Sequence, residues 1–215
     1  MNIDALFMDF DGVILESVNI KTCAFADLFA DHPEHTEKIV RLHVENGGTP
    51  RYEKFRIICT EFLGIPYDDE KERELAEAFS ALVMKKVIGC PFVPGAEEFL
   101  EKWSGAVPIY VVSGTPMDEM EKIVGARGLG WAFRGVYGSP VKKSDWTKKL
   151  LKENGLDPAR CRFVGDAGAD LKAARAAGVP FVGRVKAGEF DPFEGEGVFP
   201  RVPDLTGLAA VLGLE

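Results

Sequence analysis

The chain has 215 residues, is 46% hydrophobic and 28% charged, and carries a formal net charge of −8 with a pI near 5.1. That length can bury a real core, as one domain with a large insertion or as two modest ones. An acidic balance with scattered Lys and Arg argues against a nucleic-acid surface, which needs clustered cations. No apolar run approaches the roughly 20 residues that span a bilayer, and the first residues lack the basic start and apolar core of a signal peptide. The sequence therefore predicts no membrane partner and cytoplasmic residence. Cys23, Cys59, Cys90 and Cys161 are too widely spaced for a zinc motif and are expected as reduced core thiols.

In chain order, Leu6-Phe7-Met8 is a short apolar run suited to a buried parallel strand, stopped abruptly by Asp9 and Asp11. Asn19 to Phe29 has helical spacing, and Pro33 separates it from a second helix over Glu34 to Asn46. After the Gly47-Gly48-Thr49-Pro50 turn, Arg51 to Phe62 predicts a third helix and Asp69 to Ile88 a fourth. Four helices without a strand make a small bundle. From Val93 the pattern alternates, as expected for a parallel sheet covered on both faces. Helices are predicted over Pro94 to Trp103, Met117 to Gly125, Ser144 to Asn154, Ala167 to Ala177 and Leu205 to Leu212. Strands are predicted over Pro108 to Val112, Gly135 to Tyr137, Arg162 to Val164 and Pro180 to Gly183, and Gly188 to Gly197 reads as an exposed loop.

Chemistry gathers at the C-terminal ends of the strands, where open α/β sheets bind ligands. Asp9 and Asp11 follow the first strand, and Gly12 allows the sharp turn after them. Alone, Asp-x-Asp-Gly is equally the signature of a solvated turn. Ser113 and Gly114 follow the second strand, where a hydroxyl and backbone N–H groups can hold anionic oxygens, although Ser-Gly-Thr-Pro is also simply a good turn. Asp166 and Asp170 stand one helical turn apart, able to face one cation or to cap the helix. Arg51 and Lys54 lie one turn apart at the start of the third helix, a pattern that a solvated amphipathic face also produces. His32, His35 and His43 fit no catalytic position and are assigned to surface or helix packing.

Taken together, Asp9-Phe10-Asp11-Gly12-Val13, Ser113, Lys143 and Gly165-Asp166-Ala167-Gly168-Ala169-Asp170 resemble, in order, the four motifs of the haloacid dehalogenase-like hydrolases, over residues 3 to about 184. The resemblance implies a Rossmann-like core with strand order 5-4-1-2-3, formed by residues 1–15 and 91–215, and an inserted helical cap over 16–90. It also implies a phosphatase that acts on a small phosphorylated metabolite. Asp9 would be the nucleophile, forming an aspartyl-phosphate, and Asp11 the acid and then the base, a role absent from the dehalogenases. Ser113, Gly114, Lys143 and the Phe10 position would bind phosphate, and Arg51 and Lys54 the rest of the substrate. Mg2+ would be held by Asp9, the Asp11 carbonyl and Asp166, with Asp170 behind them. Lys143 is preferred over Lys142, which is assigned to solvent, because it stands three residues after Pro140, the familiar spacing. Two rival readings share these groups. One is a sugar phosphomutase of the β-phosphoglucomutase type, and the other a phospho-accepting signalling domain, which needs only about half this length and no cap.

Overall fold

A computed structural model describes residues 3–214. A six-stranded parallel sheet runs in the order 3-2-1-4-5-6. Its strands are β1 (Ala5–Met8), β2 (Ile109–Pro116), β3 (Gly135–Ser139), β4 (Cys161–Gly165), β5 (Phe181–Arg184) and β6 (Arg201–Val202). The expected order 5-4-1-2-3 is present, and the two-residue β6 extends it beside β5. Too short for any periodicity, β6 leaves no pattern in the sequence.

Every residue of β1 is buried, as a strand covered on both faces requires. Leu6 and Met8 face one apolar cluster, and Ala5 and Phe7 the other. The second cluster is filled by Leu150 and Leu151 of α7 (Lys143–Glu153) and by Leu171 and Ala174 of α8 (Gly168–Ala177). Toward the first cluster, α5 (Ala96–Trp103) buries Ala96, Phe99, Leu100 and Trp103 on one helical stripe. Beside it, α6 (Met117–Ala126) buries Met120, Ile123 and Val124, while the short α9 (Leu208–Leu212) closes the chain.

Between β1 and β2 lie four further helices: α1 (Val18–Leu28), α2 (Thr36–Glu45), α3 (Arg51–Ile57) and α4 (Asp69–Gly89). Asp68 caps α4 by accepting the Lys71 N–H at 2.9 Å, and acidic residues fill its first turn, where the helix dipole favours them. Leu75, Phe79, Val83 and Val87, four apart, form its buried stripe. The predicted third helix changes character at Ile58, where the chain widens into a π-helical turn (Ile58–Leu63) that Gly64 ends at φ 65°. Phe25, Phe29, Phe55 and Phe79 pack together inside these helices, continuous with the first cluster. The chain leaves and re-enters the sheet layer side by side, with Leu15 bridged to Phe92 and the Val93 N–H donating to the Ile14 carbonyl.

Cys59, Cys90 and Cys161 are buried free thiols as expected, whereas Cys23 lies on the exposed side of α1 and is not a core thiol. The predicted loop after β5 is anchored more firmly than its composition suggests, because Phe193 is fully buried against Phe181 and Phe199. Among the described residues no helix is long and apolar enough to cross a membrane.

Candidate active site

Asp9 ends the central strand and is buried, with its Oδ2 2.8 Å from Lys143 Nζ and its Oδ1 accepting the Phe10 N–H at 2.7 Å. Lys143, the first residue of α7, bridges to Asp170 Oδ1 at 2.6 Å. Asp170 in turn accepts the Ala167 N–H at 3.1 Å, which ties it to the start of α8. Asp9, Asp166 and Asp170 can each aim an oxygen to within 4.8 Å of the others. Gly12 and Gly165 make room for this, Gly165 beside Asp170 and Gly12 beside Asp166. The φ of Gly12 is 73°, and a Cβ there would overlap the Asp166 carboxylate.

These three carboxylates share one ammonium. Burial, with Asp170 adding to it, pushes the Asp9 carboxyl up to about 7 despite Lys143. Burial and the Asp9 and Asp170 charges likewise push Asp166 well above the usual carboxylate range. Burial opposes the Lys143 ammonium, but Asp170 and Asp9 more than offset that and hold it charged. A cluster with excess buried negative charge and oxygen donors fits a hard divalent cation, whose charge would remove the repulsion.

Asp11 has a different environment. Its carboxylate accepts from the Ser17 hydroxyl at 2.5 Å and the Thr115 hydroxyl at 2.8 Å and pairs with Lys21, which also donates to Thr115 at 2.7 Å. Burial alone would raise it, but the Lys21 charge and these donors bring it down to about 2. Sequence reasoning did not single out Ser17, Lys21 or Thr115. Ser17 and Lys21, four apart at the head of α1, share a face, and that spacing was the available signal.

Ser113 is buried and accepts the Thr115 N–H at 3.1 Å, and Gly114 lines the cavity. A Cβ on Gly114 would strike the Gly48 carbonyl, and Gly47 and Gly48 lie against Ala167 and Ala169. The turn before α3 therefore sits directly over the strand tips. Arg51 is buried in a two-pronged pair with Glu119 of α6, at 2.9 and 2.5 Å, and its Nη1 also lies 3.0 Å from the Ser80 hydroxyl. Its guanidinium lies over the Phe79 ring. Glu119 is a partner that spacing could not reveal, since it lies 68 residues away. Lys54 is buried, 3.2 Å from His43 Nδ1, with no carboxylate partner among the described residues. Burial and the nearby Lys21 and Lys143 charges lower it to about 7. His43 packs on Phe25, and burial with the adjacent Lys54 holds it neutral, near 2. Lys142 is exposed.

A cavity of about 510 Å3 joins these groups, lined by Asp9, Asp11, Asp166, Lys21, Arg51 and Lys54 among others. The haloacid dehalogenase-like hydrolase family matches residues 3–178, most of the chain and all four motifs. The chain belongs to that family. Among curated relatives, phosphoglycolate phosphatase 1 of Pseudomonas aeruginosa is 29% identical over 184 residues, 81% of this chain and 66% of its own. The phosphoglycolate phosphatase of Pseudomonas savastanoi is 27% identical over 186 residues, 82% of this chain and 67% of its own. The chain thus spans about two thirds of these relatives' length. Among solved structures, a haloacid dehalogenase-like family hydrolase from Streptococcus pneumoniae aligns with TM-score 0.73 at 21% identity, covering 100% of this chain and 99% of its own. A predicted phosphatase from Clostridium acetobutylicum aligns with TM-score 0.77 at 16% identity, covering 99% of both chains. At these identities the solved structures speak for the fold. The haloacid dehalogenase-like chain is accordingly an enzyme, a hydrolase of the phosphatase kind, which sets aside the signalling-domain alternative.

Proposed function

We propose that this enzyme is a Mg2+-dependent phosphatase that hydrolyses a small phosphorylated metabolite through an aspartyl-phosphate on Asp9. The environment of Asp9 carries this reading: a carboxylate at the tip of the central strand, on a cavity wall, with one ammonium and two further carboxylates in reach. The curated relatives' names make phosphoglycolate the first compound to test.

In this mechanism Asp9 attacks phosphorus in line, and the bond to the leaving oxygen breaks as the acyl-phosphate forms. Mg2+ would be held by Asp9, the Asp11 carbonyl and Asp166, and when bound it supplies the positive charge that offsets the phosphoryl oxygens. Asp170 acts from behind, by fixing Lys143 and the turn at Ala167. Ser113 and Gly114 donate to phosphoryl oxygens, joined by the Phe10 N–H once Asp9 turns from it to phosphorus, with Lys143 and Lys54 as cations beside them. Asp11 gives a proton to the leaving oxygen and then takes one from the attacking water. As paired here it is ionised, ready for the second step. The proton it takes from water in one turnover is the one it gives to the leaving oxygen in the next, and Lys21, bonded to both Asp11 and Thr115, holds the carboxylate in place. Residues 16–90 act as the cap over a core of 1–15 and 91–215. Arg51, committed to Glu119, holds the cap down in this scheme, and the substrate-facing role falls to Lys54.

Release of inorganic phosphate from a panel of metabolite monoesters, with Mg2+ and with chelator, tests the reading. Turnover that needs the metal is expected. Failure to hydrolyse any monoester with Mg2+ present would overturn it.

A further inference from the structure

The cavity is larger than a phosphoryl group and a two-carbon acid require. At about 510 Å3 it lies within the roughly 300–1,000 Å3 of sites that hold drug-sized ligands. Three of the cations that line it are already matched within the protein. Arg184 pairs with Glu16 at 2.5 Å, Lys186 with Glu189 at 3.2 Å, and Arg51 with Glu119 at 2.5 Å. Lys54, the cavity-lining cation without a carboxylate partner among the described residues, feels Lys21 and Lys143 and so belongs to the phosphoryl end. A second anionic group on a substrate would meet no further unpaired cation among the described residues that line the cavity, and the exposed Glu45 and Glu189 line it too.

What the outer cavity offers instead is apolar surface. Val44, near the end of α2, is 53% exposed, and Phe190, in the loop after β5, is 70% exposed. Both line the cavity, together with Val185 and Pro192. The exposure of Phe190 is not that of a loose loop. Before it, Glu189 is paired with Lys186, and after it Asp191 accepts the Phe193 N–H at 2.8 Å and pairs with Arg201 at 3.0 Å. Phe193 then anchors the segment in the core. A phenyl ring held out at a cavity mouth by fixed neighbours is positioned for a ligand's apolar part to cover.

We propose that the substrate is a phosphate monoester of a bulky apolar or ring-bearing alcohol with no second negative charge, and that Phe190 and Val44 are the specificity-determining residues that cover this alcohol. The inference rests on the phosphatase reading above and specifies its leaving group. Phosphoglycolate, small and carrying a carboxylate, is then a poor substrate.

The test compares 1-naphthyl phosphate with phosphoglycolate, using the full chain with Mg2+ and phosphate release as the readout. The expected kcat/KM is at least about 10-fold higher on the naphthyl ester. Phe190→Ala should raise KM for that ester about 5-fold, the effect of uncovering roughly 40 Å2 of apolar surface, and by less for phosphoglycolate. Phe190→Tyr should restore it. Equal or better turnover of phosphoglycolate, or an equal KM change on both esters, would overturn the proposal while leaving the phosphatase reading intact. Should neither ester release phosphate, the phosphatase reading still stands or falls on the wider panel of monoesters, and calorimetric titration of the Mg2+-loaded protein with both esters decides the cavity's preference by itself. Tighter binding of the naphthyl ester supports the proposal, and equal or weaker binding overturns it.

Discussion

Two buried charge clusters reach the same cavity and are built on opposite principles. At the strand tips, Asp9, Asp166 and Asp170 share a single ammonium, and burial with mutual repulsion holds Asp9 and Asp166 above their ordinary range. At the seam between α3 and α6, one guanidinium meets one carboxylate through two hydrogen bonds, with Ser80 completing the set. The first cluster is unbalanced and costs stability until something positive enters; the second is balanced and costs little until one partner is removed. Buried charge alone therefore does not mark function. The imbalance does, and each cluster can be broken separately.

The largest effect is expected at the unbalanced cluster. Asp9→Asn removes the nucleophile and one anionic metal donor, so phosphate release should fall by about 10^3-fold or more while the protein stays folded. Circular dichroism and phosphate release on the purified variant check both halves. Substantial turnover would remove the aspartyl-phosphate mechanism.

At the balanced cluster the loss should appear in stability. Glu119→Ala leaves the Arg51 guanidinium buried and unpaired, a change expected to cost about 3–5 kcal/mol, and Arg51→Ala strands Glu119 with a similar penalty. Thermal melts of each single variant and of Arg51→Met with Glu119→Leu make the test. Recovery of most of the loss in the double variant is the expected result. For Arg51→Ala, kcat/KM should drop on large and small substrates alike. A loss confined to the larger substrate would return Arg51 to a direct substrate contact.

These two clusters differ in how far the sequence exposes them. The four strand-tip motifs are local, since each places its acid, hydroxyl or ammonium right after a short apolar run, and strand order then brings them together. Arg51 and Lys54 are visible as charges on a helix start, but nothing near them in the sequence reveals that Glu119 neutralises one while the other has no carboxylate partner among the described residues. Pairing across 68 residues is a property of the fold. The same holds for Lys21 and Thr115 around Asp11, and for Phe193, an apolar residue inside a Gly- and acid-rich loop whose burial depends on Phe181 and Phe199. The sheet order followed from the family resemblance of the motifs, except for β6, which is too short to carry a pattern.

A pH scan sharpens the contrast. Because the Asp9 pKa is raised from 3.8 to about 7, its contribution to stability is fully present below pH 4 and is lost as pH rises through 7. In chelator, Tm should therefore decline between pH 4 and 7, and Mg2+ should flatten that decline by giving the ionised form a partner. Asp11, lowered to about 2, acts in the other direction, with its stability lost only as pH falls from about 4 through 2. A metal-independent profile between pH 4 and 7 would count against the cluster as the cation site. Within it, Asp166→Ala should weaken Mg2+ binding more than Asp170→Ala, because Asp170 is already engaged by Lys143 and the Ala167 N–H. Calorimetric titration of both variants reads the order, and the reverse order would exchange the two roles.

The smallest effect is expected at Lys54, which belongs by position to the α3 side and by chemistry to the unbalanced cluster. Its ammonium is buried with no carboxylate partner among the described residues, and burial with the Lys21 and Lys143 charges lowers it from 10.5 to about 7. For a base lowered in this way, the favourable contribution is present above pH 10.5 and is lost as pH falls through 7, so near neutrality the charged form is a burden on the empty protein. An incoming phosphoryl group would turn that burden into attraction. Lys54→Met should thus raise KM for every monoester by about 10-fold, the size of a lost charged hydrogen bond, while raising Tm by about 2–4 °C for each kcal/mol of relieved desolvation. Arg51→Met should lower Tm instead, because its guanidinium has a partner to leave behind. Opposite signs of ΔTm at two cations one helical turn apart would separate the charge kept for substrate from the charge kept for the fold. A fall in Tm for Lys54→Met, with KM unchanged, would instead make Lys54 a structural partner of His43.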